Sequence, residues 1–470
     1  MIRATLFLSV ALLLGRVLGF LREVLLAGRV GVSVEADIAI LVMTLPEFVV
    51  GVLLAGGFTA ALVPALRQQE APARPALFRL VATLALLIGG LIAAAIAVAP
   101  GALATLLAPG LVPEGAEIWT TAIRLVALSI PLAALAGAVG AWANVQDRFF
   151  VVGLGTVLYN VILCAALLAL APGASLILAL ALATVCAGAG RLALLILVAR
   201  PPLLPRLGPV PGGARRLLGL FAAGVLAVGT AGAAHLIFRS LAAAGGAGEL
   251  AAFTYALKLF LLQVTIFFGP LATVLLPRMA SAPADAAIPA RGLALILPLA
   301  LATVVVGLVS GDALARLVFL RGEMTLPGVG RVIVFAKLMM LALPFAAREL
   351  IAAAWLIANR RTGRVLVHAL AALGLGLLAA LGAPGGAMTG FLVFYASLAG
   401  LHLAALPPLA GRVWAALRLW RVLLMCALAL AFATLDRTLL ATGGDGARVL
   451  LGLGAGAAML LPVLPLLRRL

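Results

Sequence analysis

Charge is scarce in this chain. Asp, Glu, Lys and Arg together make up 10% of its 470 residues, where a soluble domain carries about a quarter. Mean hydropathy is +1.28. The shortage excludes an ordinary soluble fold and leaves an all-α integral membrane protein. A β-barrel is excluded too, because barrel strands alternate apolar and polar residues over about ten positions. The apolar runs here continue for about twenty residues or more, the length of a spanning helix. Lysine is nearly missing: Lys258 and Lys337 stand beside 31 arginines. In a soluble chain a net charge of +18 would point to nucleic acid; in a membrane chain it marks cytoplasmic loops, and no nucleic-acid partner is expected. Cysteine is limited to Cys164, Cys186 and Cys426. All three fall inside apolar runs without metal-ligand spacing, so they are expected to be small buried residues. Enzyme signatures are missing as well. There is no Gly-Lys-Ser/Thr of a nucleotide-binding loop, no His-Glu-x-x-His and no Gly-x-Ser-x-Gly. A polyprenyl-sugar glycosyltransferase would need an acidic pair in an early outer loop; Glu114 and Glu117 come closest, and a solvated loop accounts for them. No enzyme activity, cofactor or metal is expected. Met1-Ile2-Arg3 is not followed by a small-residue cleavage site, and Arg16 interrupts the apolar run behind it. The first segment therefore reads as a retained helix.

The hydrophobic pattern predicts about fourteen transmembrane helices: 4–27, 35–66, 78–100, 117–143, 150–171, 174–199, 216–244, 250–277, 290–310, 329–358, 364–383, 387–409, 415–435 and 447–467. The Pro- and Gly-rich stretch 201–215 cannot continue a helix. It divides an N-terminal six-helix lobe, 1–200, from a C-terminal six-helix lobe, 216–410; two extra helices occupy 411–470. Arginine collects in loops after even-numbered helices, as at Arg74, Arg148, Arg206, Arg278, Arg361 and Arg412. Arg29, Arg316, Arg321 and Arg437 are exceptions. The balance places the linker and both termini in the cytoplasm.

The two lobes repeat at one offset. Gly56 matches Gly269, Pro64 matches Pro277, Pro131 matches Pro344, Trp142 matches Trp355 and Arg148 matches Arg361, each 213 residues on; Arg124 matches Lys337. Shared Leu/Ala composition does not place rare Pro and Trp in register. Six helices per copy is an even number, so both copies enter from the same side, as parallel repeats.

Ionisable residues at membrane depth are the candidate site, since each costs at least ~3 kcal/mol on the most lenient scale. Arg16, Arg22 and Glu23 lie in the first helix. Arg16 and Glu23, seven apart, share a face; Arg22 points about 120° from Arg16 and either lines a cavity, pairs with Glu23 or reaches the far interface. Gly15 and Gly19 form a small-xxx-small pair that permits close packing. Asp37 fits a helix N-terminus. Glu47 follows the helix-bending Pro46 and is a partner for Arg16 or Arg22. His235 and Arg239 share a face of helix seven; Lys258 and Gln263 lie in helix eight. Arg348 and Glu349 are expected to neutralise each other or neighbours. Arg124 and Lys337 lie near outer helix ends, Arg191 is expected to reach the cytoplasmic interface, and His368 and His402 read as core histidines in preference to a proton relay. The depth positions hold more cations than carboxylates, which suggests an anionic headgroup as substrate, because arginine grips phosphate oxygens with both arms and keeps its charge when buried.

Gly15-Arg16-Val17-Leu18-Gly19-Phe20-Leu21-Arg22-Glu23, Ala36-Asp37, Leu45-Pro46, Gly56, Phe58 and Leu62-Val63-Pro64, with Leu275-Leu276-Pro277 and Phe319-Leu320-Arg321-Gly322-Glu323, resemble the MurJ/MviN lipid II flippases. That family sits in the superfamily of multidrug/oligosaccharidyl-lipid/polysaccharide exporters. The resemblance implies translocation of an undecaprenyl-pyrophosphate-linked peptidoglycan precursor across the bacterial inner membrane by alternating access, with membrane potential or an ion biasing the cycle. It assigns Arg16 and Arg22 to the cavity arginines and Asp37 to the helix-two aspartate; Glu23 stands where Asp is usual. The pyrophosphate would bind Arg16, Arg22 and Lys258 between the halves, with Glu23, Asp37, Glu47 and Arg239 completing the site, and the polyprenyl tail would lie beside the last two helices. Cell-wall synthesis proteins are possible partners. The departures are specific. The family's basic pair in helix two falls on Val50 and Gly51, its acid there on Ala55, and its helix-eight Asp-Arg pair on Leu257 and Lys258. Helix eleven lacks the carboxylate or Asn that a sodium site like that of some members would use. These changes leave two alternatives open: a flippase for another lipid-linked oligosaccharide, or a non-transporting partner in the cell-envelope machinery.

Overall fold

The computed structural model describes residues 2–50, 58, 61–109, 116–170, 173–208, 214–282, 285–383, 385–406 and 444–460. All regular elements among them are helical. Chain contacts divide it into Met1–Ala251 and Ala252–Leu470, and each unit is described by itself. Eight described helices are long and apolar enough to cross a membrane, or nine if one bent pair counts as a span. The expected helix 415–435, Cys426, Gly51, Ala55 and the end of 447–467 lie outside the described residues.

The first unit holds α1 (Ile2–Val30), α2 (Val34–Val50), α3 (Val63–Gln68), α4 (Arg74–Val98), α5 (Pro100–Leu107), α6 (Ala116–Ala127), α7 (Ser129–Val145), α8 (Phe149–Ala169), α9 (Ala174–Ala199) and α10 (Ala214–Ala243). It also holds the start of α11 (Glu249–Gln263). The contact division falls beyond α10, within α11. Contacts between α10 and α5, and bonds from the α11 start to α2, tie α10 into this unit. The core runs through Phe58, Leu62, Leu66, Leu77, Phe78 and Leu195 against the small residues of α7. The α1–α8 contact uses the expected glycine pair. A methyl group on Gly15 would sit 3.3 Å from Thr156 Cγ2, and one on Gly19 would meet Asn160, so larger residues would push the helices apart.

The second unit continues from α11 through a π-turn at Val264–Phe268 into α12 (Gly269–Ser281), then α13 (Ala287–Phe319), α14 (Leu326–Met340), α15 (Leu343–Ala358), α16 (Thr362–Gly382), α17 (Gly386–Ala404) and α18 (Asp445–Leu460). Phe260, Phe391 and Tyr395 pack ring on ring between α11 and α17. The described part of the last expected helix lies along α13. Gly452 leaves no room for a side chain there, since a Cβ would fall 1.6 Å from Ser310 Oγ. Arg316 and Asp445 pair across the same contact, Nε to Oδ2 at 2.9 Å.

The 213-residue offset recurs in the element boundaries. The ends of α1 and α10 (Val30, Ala243), the starts of α4 and α13 (Arg74, Ala287) and both ends of α8 and α16 obey it. So do the interruptions. A proline lacks an N–H and crowds the carbonyl four residues back. Pro131 acts on Ala127 and Pro344 on Met340, and these residues end α6 and α14. The second break bends its span by 46°, while the first leaves Glu117–Val145 a single span. The following turns also match. Asp147 (φ 58°) and Arg360 (φ 59°) are both left-handed. The next N–H in each, Arg148 or Arg361, bonds the carbonyl of Ala143 or Leu356 at 2.9 and 2.8 Å.

Candidate functional site

Arg22 lies on the part of α1 that packs against α8, and 1% of it is exposed. A buried charge persists only when paired and hydrogen-bonded. Here Nη2 donates to Glu23 Oε1 at 2.7 Å, and Nη1 donates to Glu47 Oε1 and, at 3.4 Å, to Asn160 Oδ1. Asn160 in turn donates Nδ2 to the carbonyls of Gly15 (3.2 Å) and Thr156 (3.1 Å). One guanidinium thus ties α1, α2 and α8 together. Of its two carboxylates Glu23 is enclosed, while the Glu47 side chain keeps 32% exposure. Arg239, also buried, donates to Thr44 Oγ1 at 3.1 Å and lies within the electrostatic reach of Glu23 and Glu47. Two cations face two carboxylates, so this cluster lacks the cation excess expected from the count of depth positions.

Arg16 sits six residues before Arg22, exposed on α1. Asp37 has a different task. It is 1% exposed, and its two oxygens accept from the backbone N–H groups of Gly248 and Ala251, each at 2.7 Å. These are donors that the first turn of α11 cannot satisfy itself. Asp37 was expected to cap its own helix; Ser33 does that, accepting from Ala36 N–H, and Asp37 caps α11. His235 lies half-buried one turn before Arg239, and Lys258 half-buried on α11 in the second unit.

Other charges take the following partners. Arg348 and Glu349 turn apart: Arg348 Nε bonds the Pro344 carbonyl at 3.1 Å and its guanidinium lies over Phe345, while Glu349 Oε1 approaches His402 Nδ1 at 3.5 Å. Lys337 pairs with Asp312 at 2.7 Å. Arg191 is buried, its stem against Gly155. Asn160, Thr44, Asp312 and Asp445 went unrecognised as partners. A lone amide in the apolar run of α8 was the available signal for Asn160, because an unpartnered amide there is costly.

A model of the lipid II flippase MurJ family matches residues 26–440; the match begins just after the α1 cluster. No curated protein matches the chain in sequence. Among solved structures, a lipid II flippase MurJ in an inward closed conformation superposes with a TM-score of 0.82 at 16% identity, covering 97% of this chain and 98% of that one. An inward-facing multidrug resistance MATE family transporter of the MOP superfamily gives 0.67 at 15% identity, covering 88% and 98%. A MOP superfamily transporter from Pyrococcus furiosus gives 0.60 at 15%, covering 88% and 96%. At such identities the structures speak for the fold and the family model speaks for descent. The helical repeat, the apolar spans and the match from the end of α1 onward together place this chain in the lipid II flippase MurJ family.

Proposed function

We propose that this chain translocates lipid II, the undecaprenyl-pyrophosphate-linked peptidoglycan precursor, across the bacterial inner membrane by alternating access, with both termini in the cytoplasm. The observation that carries the reading is the family match over 26–440. The geometry divides the work within α1. Arg16, exposed on α1, is the direct ligand for the pyrophosphate, which a guanidinium grips with two parallel bonds. Arg22 is held by Glu23 and Glu47 and fixes the helix that presents Arg16. A phosphate oxygen that replaced Glu47 at Nη1 would release α2 from α1, so substrate binding and helix movement share one exchange of partners. Membrane potential or an ion biases the cycle, and cell-wall synthesis proteins supply and receive the substrate.

Complementation of flippase-depleted cells tests this. The wild-type chain restores growth and lipid II translocation. Arg16→Ala loses them at equal expression, and Arg16→Lys, which keeps the charge without the two-armed grip, restores them in part. A well-expressed wild-type chain that moves no lipid II would overturn the substrate assignment. Val50, Gly51 and Ala55, where the family carries charge, favour a second reading in which the cargo is another lipid-linked oligosaccharide. Arg16→Ala would then abolish export of that glycan instead. A non-transporting role predicts that Arg16→Ala and Lys258→Ala both leave the phenotype intact.

A further inference from the structure

We infer that Glu349, His402 and His368 form a proton-binding site within the second unit. His402 is fully buried near the end of α17. A neutral imidazole carries one donor and one acceptor, yet neither ring nitrogen of His402 finds a hydrogen-bond partner among the described residues. Its Nδ1 stands 3.5 Å from Glu349 Oε1, too long for a good hydrogen bond and within ion-pair reach. A proton on His402 converts that contact into a buried ion pair. Without the proton, Glu349 faces an uncharged ring.

The surroundings favour a proton over a metal ion. No three His, Cys, Asp or Glu side chains among the described residues are grouped to hold a metal. From α15, Arg348 is turned away onto Pro344 and Phe345. From α14, Lys337 is engaged by Asp312, and Arg331 has its own interaction. From α17 itself, Tyr395 lies within the electrostatic reach of Glu349. From α11, whose Phe260 packs on Tyr395, the charged residues are Glu249 in its first turn and Lys258. From α16 comes His368, its ring 5.2 Å from that of His402 and its Nδ1 buried without a partner among the described residues. His368 is half-buried one turn from exposed Arg364, near the start of α16. It is placed to pass a proton between that end of the helix and His402. The site joins α15, α16 and α17, so its occupancy tightens or loosens their packing, and a proton gradient acts on the transport cycle there. That coupling rests on the translocation reading; the site itself does not.

The chain contains three histidines, so selective ¹³C-histidine labelling of the full-length protein in lipid nanodiscs yields three resonances. His235→Gln and His368→Gln identify two of them and leave the third as His402. In the wild type, the His402 resonance moves between pH 5 and 9. Glu349→Gln lowers its proton affinity about tenfold, because the neutral amide no longer favours the charged ring, and Glu349→Asp restores most of it. A His402 resonance that stays fixed across that range in the wild type, or responds equally with and without the carboxylate, overturns the site. The coupling is read in proteoliposomes carrying fluorescent lipid II. An imposed pH difference changes the wild-type rate at least threefold, and Glu349→Gln loses that response. A wild type that translocates but ignores the pH difference overturns the coupling. A wild type that moves no lipid II overturns the function reading, and the resonance titration still decides the site.

Discussion

At the scale of single residues, energy concentrates where charge is enclosed. Removing one partner of a buried ion pair costs about 3–5 kcal/mol, while an exposed pair is worth under about 1 kcal/mol. Glu23 and Arg22 belong to the first class and Arg67 with Asp147 to the second, with half or more of both side chains exposed. Glu23→Gln is therefore expected to destabilise the protein by about 3 kcal/mol, the lower bound because Glu47 still holds Arg22. Arg67→Ala should fall within about 1 kcal/mol of wild type. Thermal unfolding midpoints in detergent separate the two. Much of the Arg22 cluster was legible in the sequence, because an arginine and two glutamates at membrane depth have few alternatives to pairing. Asn160 was not legible, since it is 138 positions from Arg22 and nothing local marks a side chain that completes a distant network. The sequence marks Asp37 as a cap, and the helix it caps is α11. A carboxylate advertises that it can accept N–H groups, and only the folded chain shows whose.

At the scale of elements, the same turn occurs twice with different residues at its left-handed position. A non-glycine residue there costs roughly 1–2 kcal/mol, less for Asp. Arg360→Gly should thus stabilise the second unit by about 1 kcal/mol. Asp147→Gly should gain little, because Asp tolerates this conformation and also holds Arg67. The comparison of midpoints is direct, and equal gains at both turns would contradict it. Helix boundaries are readable to within a few residues where a span meets a loop, as at both ends of α8, α9 and α16. The interruptions at Leu128 and Leu341 were not anticipated, and 117–143 and 329–358 were read as unbroken spans. Each break lies inside an apolar run, where hydropathy carries no information about the backbone.

At the scale of the molecule, the helices are duplicated and the chemistry is not. The positions 213 residues after Arg22, Glu23, Glu47 and Asn160 hold His235, Leu236, Phe260 and Leu373. The positions 213 before Glu349, His368 and His402 hold Ala136, Gly155 and Ala189. Each polar cluster is confined to one copy. Duplication was visible in the sequence through rare residues in register, whereas the ion pairs, each confined to one copy, left no echo to find. The Arg22 cluster also has a consequence for synthesis. α1 is made first, yet Asn160 on α8 completes its polar contacts, and at 5–20 residues per second α8 follows on the order of ten seconds later. During that interval Arg22 rests on Glu23 and Glu47 alone, and a charged cluster at membrane depth without its amide contact remains costly. The insertion machinery, or a shallow and wet position, has to shelter α1 until α8 arrives. Ribosome-bound chains carrying Leu18→Cys, whose backbone meets Cys164 of α8, should be alkylated by a water-soluble maleimide when they end before residue 149 and protected once α8 has entered the membrane. Protection in the shorter chain would mean that α1 settles without its partner. The order in which the polypeptide is assembled in the bilayer is thus written into one guanidinium that must wait for its amide.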